Sequence, residues 1–136
     1  MNCVIVGARD RVLDKDREEV ENLIRKLSHQ FRGRLQVVSV GCDRGIGKYV
    51  RDFCLKNEII FVECRMKLEG KESEDIPRSF FVHTFLARNK VLLELGDEFY
   101  VFKGNADGGI VEAVIPQAIE KVGEQRVRVY EFETVT

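Results

Sequence analysis

Apolar positions along the chain fall into two alternating kinds of run. Cys3-Val4-Ile5-Val6 is short and continuous, as in a strand buried on both faces. Leu35 to Val40, Ile59 to Val62, Phe99 to Phe102 and Arg126 to Tyr130 are further β-branched or aromatic runs that predict strands. Between them apolar residues recur at helical spacing. Val20, Leu23, Ile24, Leu27 and Phe31 form one face, with Asp14 or Asp16 as the expected cap and Gly33 as the stop. Ile46, Val50, Phe53 and Cys54 form another. Val111, Val114, Ile115, Ala118 and Val122 form a third, in which Pro116 predicts a kink or a later start. Residues 65–76 have no periodicity and read as a long loop. Pro77 then suits the first turn of a helix over 78–95, apolar on several sides through Phe80, Phe81, Val82, Phe85, Leu86, Val91, Leu92 and Leu93.

Strands alternating with helices must pair in parallel through crossovers. The expected fold is therefore α/β: a single domain over 1–136, a three-layer Rossmann-like sandwich of about five mostly parallel strands flanked by four helices. The apolar surplus of the 78–95 helix would suit burial against a second subunit, so a homodimer is expected.

Composition narrows the function classes. The 136 residues suffice for one core, and 44% apolar with 33% charged residues describes a globular chain. A formal charge of −1 gives general nucleic-acid binding no support. No apolar run approaches the ~20 residues that span a bilayer. A strand that starts within two residues of Met1 leaves no room for a signal peptide, which points to the cytoplasm. Cys3, Cys42, Cys54 and Cys64 lack C-x-x-C spacing and read as structural thiols; with His29 and His83 far apart, no metal site is expected.

Chemistry is expected where strands end. Gly7-Ala8-Arg9-Asp10, Gly41 to Gly47 and Lys103 to Gly109 each combine glycine with charged or amide residues. In an open parallel sheet such loops share the carboxyl edge, where ligands bind, and amides at a helix start can hold an anion. Two motifs are missing. The first loop does not supply G-x-G-x-x-G, and Gly47-Lys48-Tyr49 does not complete a phosphate-binding P-loop, in which Cys42 would hold the first glycine's place.

These loops resemble those of the SLOG superfamily, which includes the Lonely-guy (LOG) phosphoribohydrolases and the DNA-processing protein A fold. The resemblance covers most of the chain. VIVGARD is similar to the G-x-R-D opening of small members, and Arg44-Gly45 match the family's GGARGAD element, with Gly47 at the aspartate position. Leu86-Ala87-Arg88-Asn89 resembles the arginine-bearing helix. LOG enzymes carry P-G-G-x-G-T-x-x-E where this chain has Gly104 to Glu112; Gly108 and Glu112 match, and Gly109 replaces threonine.

The resemblance implies a nucleotide-like ligand held by Gly7, Arg9, Asp10, Gly41, Arg44, Gly45, Gly104, Asn105, Asp107, Gly108 and Gly109. It assigns any cleavage of an N-glycosidic bond to Arg88 and Glu112, and implies no cofactor. A carboxylate could stabilise an oxocarbenium-like sugar, and an arginine could grip a phosphate through two parallel bonds. The altered P-G-G element favours a binding protein that senses, carries or sequesters a nucleotide. The retained Arg88 and Glu112 favour a LOG-like or deoxyribosyltransferase-like enzyme. A single-stranded nucleic-acid binder is disfavoured by the near-zero charge.

Overall fold

The computed structural model describes residues 1–42, 44–66, 79–82, 85–104 and 110–131. The strands are β1 (Asn2–Gly7), β2 (Gln36–Val40), β3 (Ile60–Met66), β4 (Ser79–Val82), β5 (Glu98–Phe102) and β6 (Val127–Tyr130). The helices are α1 (Asp14–Phe31), α2 (Ile46–Lys56), α3 (Phe85–Leu95) and α4 (Ile110–Val122), and a 3-10 turn, Glu124–Arg126, leads into β6. The six strands form one sheet in the order β4-β3-β2-β1-β5-β6, and every pairing is parallel. The chain steps outward from β1 to β4, then returns to β5 on the other side of β1. The gap between β1 and β5 is thus the topological switch point of a Rossmann-like, three-layer α/β sandwich.

Alternation along the strands divides the core. Cys3, Ile5, Val37, Phe61 and Phe102 face one side and pack with Val20, Ile24 and Leu27 of α1 and with Ile46, Val50 and Cys54 of α2. Val4, Val6, Val38, Val62, Phe99 and Val101 face the other and pack with Leu92 of α3 and with Val114 and Ala118 of α4. Burying one such side chain contributes about 1.5–3 kcal/mol, against about 1 kcal/mol for a helix cap, so these two faces hold the helices on the sheet.

Three local expectations change, and at Pro116 one of two expected alternatives, a later helix start, does not occur. The expected 78–95 helix divides into β4 and the shorter α3. A four-residue apolar run has no readable period, and Phe80, Phe81 and Val82 have strand propensity; pairing of Ser79–Val82 with Glu63–Met66 decides it. The apolar surplus that pointed to a homodimer is thereby shared between an edge strand and a helix. Strand β3 runs to Met66, into the start of the expected loop; 67–78 lie outside the described residues. Neither Asp14 nor Asp16 is the first cap of α1. Leu13 holds that place, and the Asp16 carboxylate accepts a bond from its N–H at 3.1 Å. Pro116 lies inside α4, which starts at Ile110; without an N–H it cannot donate to the Glu112 carbonyl one turn back.

No helix among the described residues is long and apolar enough to cross a membrane.

Candidate functional site

At the carboxyl edge, the ends of β1 and β5 and the start of α2 are fitted to one another. Ala8 N–H donates to the Phe102 carbonyl at 3.0 Å, and Ile46 N–H to the Ala8 carbonyl at 3.4 Å. A Cβ at Gly104 would stand 2.2 Å from Asp10 Oδ1 and 2.4 Å from Ala8 Cβ. One at Gly45, where φ is +76°, would stand 2.6 Å from the Ala8 carbonyl oxygen. One at Gly7 would meet Ile46 Cγ1 and Phe102 Cβ at 2.7 Å. The described parts of the three loops singled out from sequence therefore meet here, and close packing, with the positive φ at Gly45, accounts for glycine at 7, 45 and 104. Arg9, Asp10 and Arg44 are exposed around this junction.

Arg11, which sequence reasoning passed over, locks the junction. It is 3% exposed, donates from Nε to the Lys103 carbonyl and from Nη2 to the carbonyls of Tyr130 and Glu131, and lies 3.8 Å from carboxylate oxygens of Asp16 and Glu19. One planar guanidinium thus ties the β1 loop to the ends of β5 and β6. Its sequence neighbourhood, Arg9-Asp10-Arg11, gives no sign of which arginine turns inward.

The ends of β2 and β3 are built differently. Glu63, opposite Ser39 in the β2–β3 register, is fully buried on the α2 face. Neither of its carboxylate oxygens accepts a hydrogen bond among the described residues. Arg51 of α2 stands 3.8 Å from Oε1, close enough for charge attraction and too far for a hydrogen bond. Burial raises the Glu63 pKa, and Arg65 and Arg51 oppose the rise. Gly41 is exposed just above: a Cβ there would stand 3.1 Å from Glu63 Oε1 and 3.0 Å from Arg65 Cγ. Sequence reading ended this strand at Val62 and gave Glu63 no role. A charged residue in mid-strand was the only signal available.

On the opposite sheet face, Arg88 is half-buried in the first turn of α3. Burial lowers its pKa, and the Cys64 and Cys42 thiols act in the opposite sense, which sets the guanidinium near the tips of β2 and β3. Its neighbour Asn89 is buried, with Oδ1 accepting no hydrogen bond among the described residues. Glu112 is exposed on the first turn of α4. Asn105, Asp107, Gly108, Gly109 and His83 lie outside the described residues.

The cysteines are free. Burial pushes the Cys54 thiol up to about 12; burial and then Glu98 push Cys3 up to about 12; burial also raises Cys64, against Arg88. These three are held as thiols rather than nucleophilic thiolates. Among the described residues no group of three or more His, Cys, Asp or Glu could hold a metal ion. A groove of about 360 Å³ lies elsewhere, between α1 and the β5–β6 face, lined by residues that include Lys26, Tyr100 and Arg128; there Tyr100 donates to Glu98 at 2.8 Å.

Set against protein-family models and curated proteins, the chain matches none.

Proposed function

We propose that this protein binds a nucleotide or nucleotide-derived phosphate compound at the carboxyl edge of its sheet, as a sensor, carrier or sequestering protein. The observation that supports it is the meeting of the 7–10 loop, Gly45 and Gly104 beside the β1–β5 switch point, where open parallel sheets take their ligands. Arg9 and Arg44 bring exposed guanidiniums to this edge, suited to phosphate oxygens. Gly41 continues the site toward β3; Asn105, Asp107, Gly108 and Gly109, assigned to the ligand by the resemblance, lie outside the described residues.

A ligand of the folded state raises its melting temperature. Nucleoside monophosphates, ADP-ribose and cyclic dinucleotides at millimolar concentration are the panel to use. At least one class should raise the melting temperature, and Arg44→Ala should reduce the rise. A flat response from every compound would remove the proposal.

The half-buried Arg88 at the same edge favours a second reading, hydrolysis or transfer at an N-glycosidic bond. Incubated with nucleoside monophosphates, the protein would then release free base, and Glu112→Gln would stop the release. Equal inertness of wild type and variant would dismiss this reading.

A further inference from the structure

The groove of about 360 Å³ between α1 and the β5–β6 face has a charge pattern that the rest of α1 does not share. One wall is a stripe of α1 at helical spacing, which includes Asn22, Lys26 and Gln30. On the sheet side, register places Tyr100 of β5 beside Arg128 of β6, and Phe102 beside Tyr130. Lys26, Arg126 and Arg128 bring three positive charges to this space. None of the three forms an ion pair among the described residues, whereas elsewhere on α1 Arg17 lies 3.4 Å from Asp14 and Arg25 lies 3.6 Å from Glu21. The two carboxylates that line the groove are already engaged. Glu98 accepts a bond from the Tyr100 hydroxyl at 2.8 Å, and Glu19 lies 3.8 Å from Arg11. Burial and the bond to Glu98 raise the Tyr100 pKa, so the phenol stays neutral. Arg128 is held in place as well: its guanidinium carbon lies 5.3 Å from the centre of the Tyr130 ring, which stacks on Phe102 at 4.2 Å.

We infer that this groove is a second binding site, for a small hydroxylated organic anion that carries two or more phosphate or carboxylate groups. The site is separate from the carboxyl-edge site and does not rest on it.

Three features select this chemistry. Cations outnumber carboxylates in the lining by three to two, and a concave surface focuses that surplus on an entering anion. A guanidinium fork accepts phosphate or carboxylate through paired bonds, and the hold of Tyr130 on Arg128 reduces the freedom lost on binding. The amides of Asn22, Gln30 and Gln125 exchange hydrogen bonds with hydroxyl groups. The volume is at the small end of ligand pockets, about 300–1,000 Å³, which suits a metabolite rather than a polymer.

The chain holds three tyrosines and no tryptophan, and two of the tyrosines, Tyr100 and Tyr130, line the groove. In Tyr49→Phe, intrinsic fluorescence therefore comes from the groove alone. Titration of this variant with citrate and with fructose 1,6-bisphosphate, at constant ionic strength, should give a saturable change with at least one of them; which one responds tells carboxylate from phosphate. Inorganic phosphate, with a single anionic group, should bind at least about tenfold more weakly. Calorimetry on the wild-type chain gives the same comparison should Tyr49→Phe fail to fold. Lys26→Gln, Arg126→Gln and Arg128→Gln alter exposed side chains and should each weaken binding about tenfold, the loss of one charge-assisted bond. Lys56→Gln removes the same charge outside the groove and should change binding by less than about twofold. No saturable response to either compound, by fluorescence or by calorimetry, would overturn the inference. So would equal weakening by Lys56→Gln, which would mean general charge attraction, or weakening by Arg44→Ala with none from the groove variants, which would place the anion at the carboxyl edge.

Discussion

The two halves of the carboxyl edge satisfy their polar groups in different ways. Around β1, β5 and β6, the buried guanidinium of Arg11 meets three carbonyls and two carboxylates, and glycines at 7, 45 and 104 allow backbone to lie on backbone. Around β2 and β3, the buried carboxylate of Glu63 meets no hydrogen-bond donor among the described residues, and the glycine above it faces solvent. Folding has completed the first half within the chain. The second half retains a cost, and a buried polar group held without partners is where a protein gives up stability for another purpose. The first half is closed on itself, and the second keeps a buried carboxylate short of hydrogen-bond donors among the described residues.

Mutation can break this contrast. The largest effect should come from Arg11→Ala, which removes the side-chain donor to the Lys103, Tyr130 and Glu131 carbonyls and the cation beside the buried Asp16 carboxylate; a loss of about 3–5 kcal/mol in urea denaturation is expected. Arg11→Lys should recover little, because an ammonium cannot span the same acceptors. A loss under about 1 kcal/mol would mean the junction is not held by this residue.

Gly104→Ala comes next. Its methyl would overlap Asp10 and Ala8, at a cost of about 1–3 kcal/mol. Gly33→Ala is the comparison: φ is +70° there and nothing lies within 4 Å, so only backbone strain of about 1 kcal/mol applies. Equal losses at both positions would show that packing at the junction is loose.

The smallest effect concerns Glu63 and depends on pH. Burial lifts its folded-state pKa above the ordinary 4.5, so between that value and the raised one the folded form holds a proton that the unfolded form has lost. Unfolding then releases a proton, and stability falls as pH rises through this window. Glu63→Gln carries no such proton. Its stability should match wild type most closely on the acid side of pH 4.5 and exceed it increasingly toward neutrality. Parallel stability curves across that range would show that Glu63 is not held in a costly state.

Much of the fold was legible because hydrophobic period and strand order are written locally. Cys3 to Val6 and the Val20, Leu23, Ile24, Leu27 face are buried as their spacing required. The split at Ser79–Val82 was not legible, because four apolar residues fit either period and the pairing that settles them comes from β3. At the edge, glycine marked the loops correctly, since loops after parallel strands must share one side of the sheet. What the loops hold depended on the direction of single side chains. Arg9 turns outward and Arg11 inward, and Glu63 lies under Gly41 through a register that links positions distant in sequence. Those are tertiary facts, and residue type alone does not carry them.

The arginine clamp also bears on the order of folding. Its acceptors lie 92, 119 and 120 residues downstream, so the loop that follows the first strand cannot be locked until β6 has docked at the far edge. Such distant closures slow the search for the native state. During synthesis, a ribosome-bound chain with residues up to Phe102 exposed could pair β1 with β5 while its opening loop still moved freely, and that loop would come to rest only as residues 127–131 emerged.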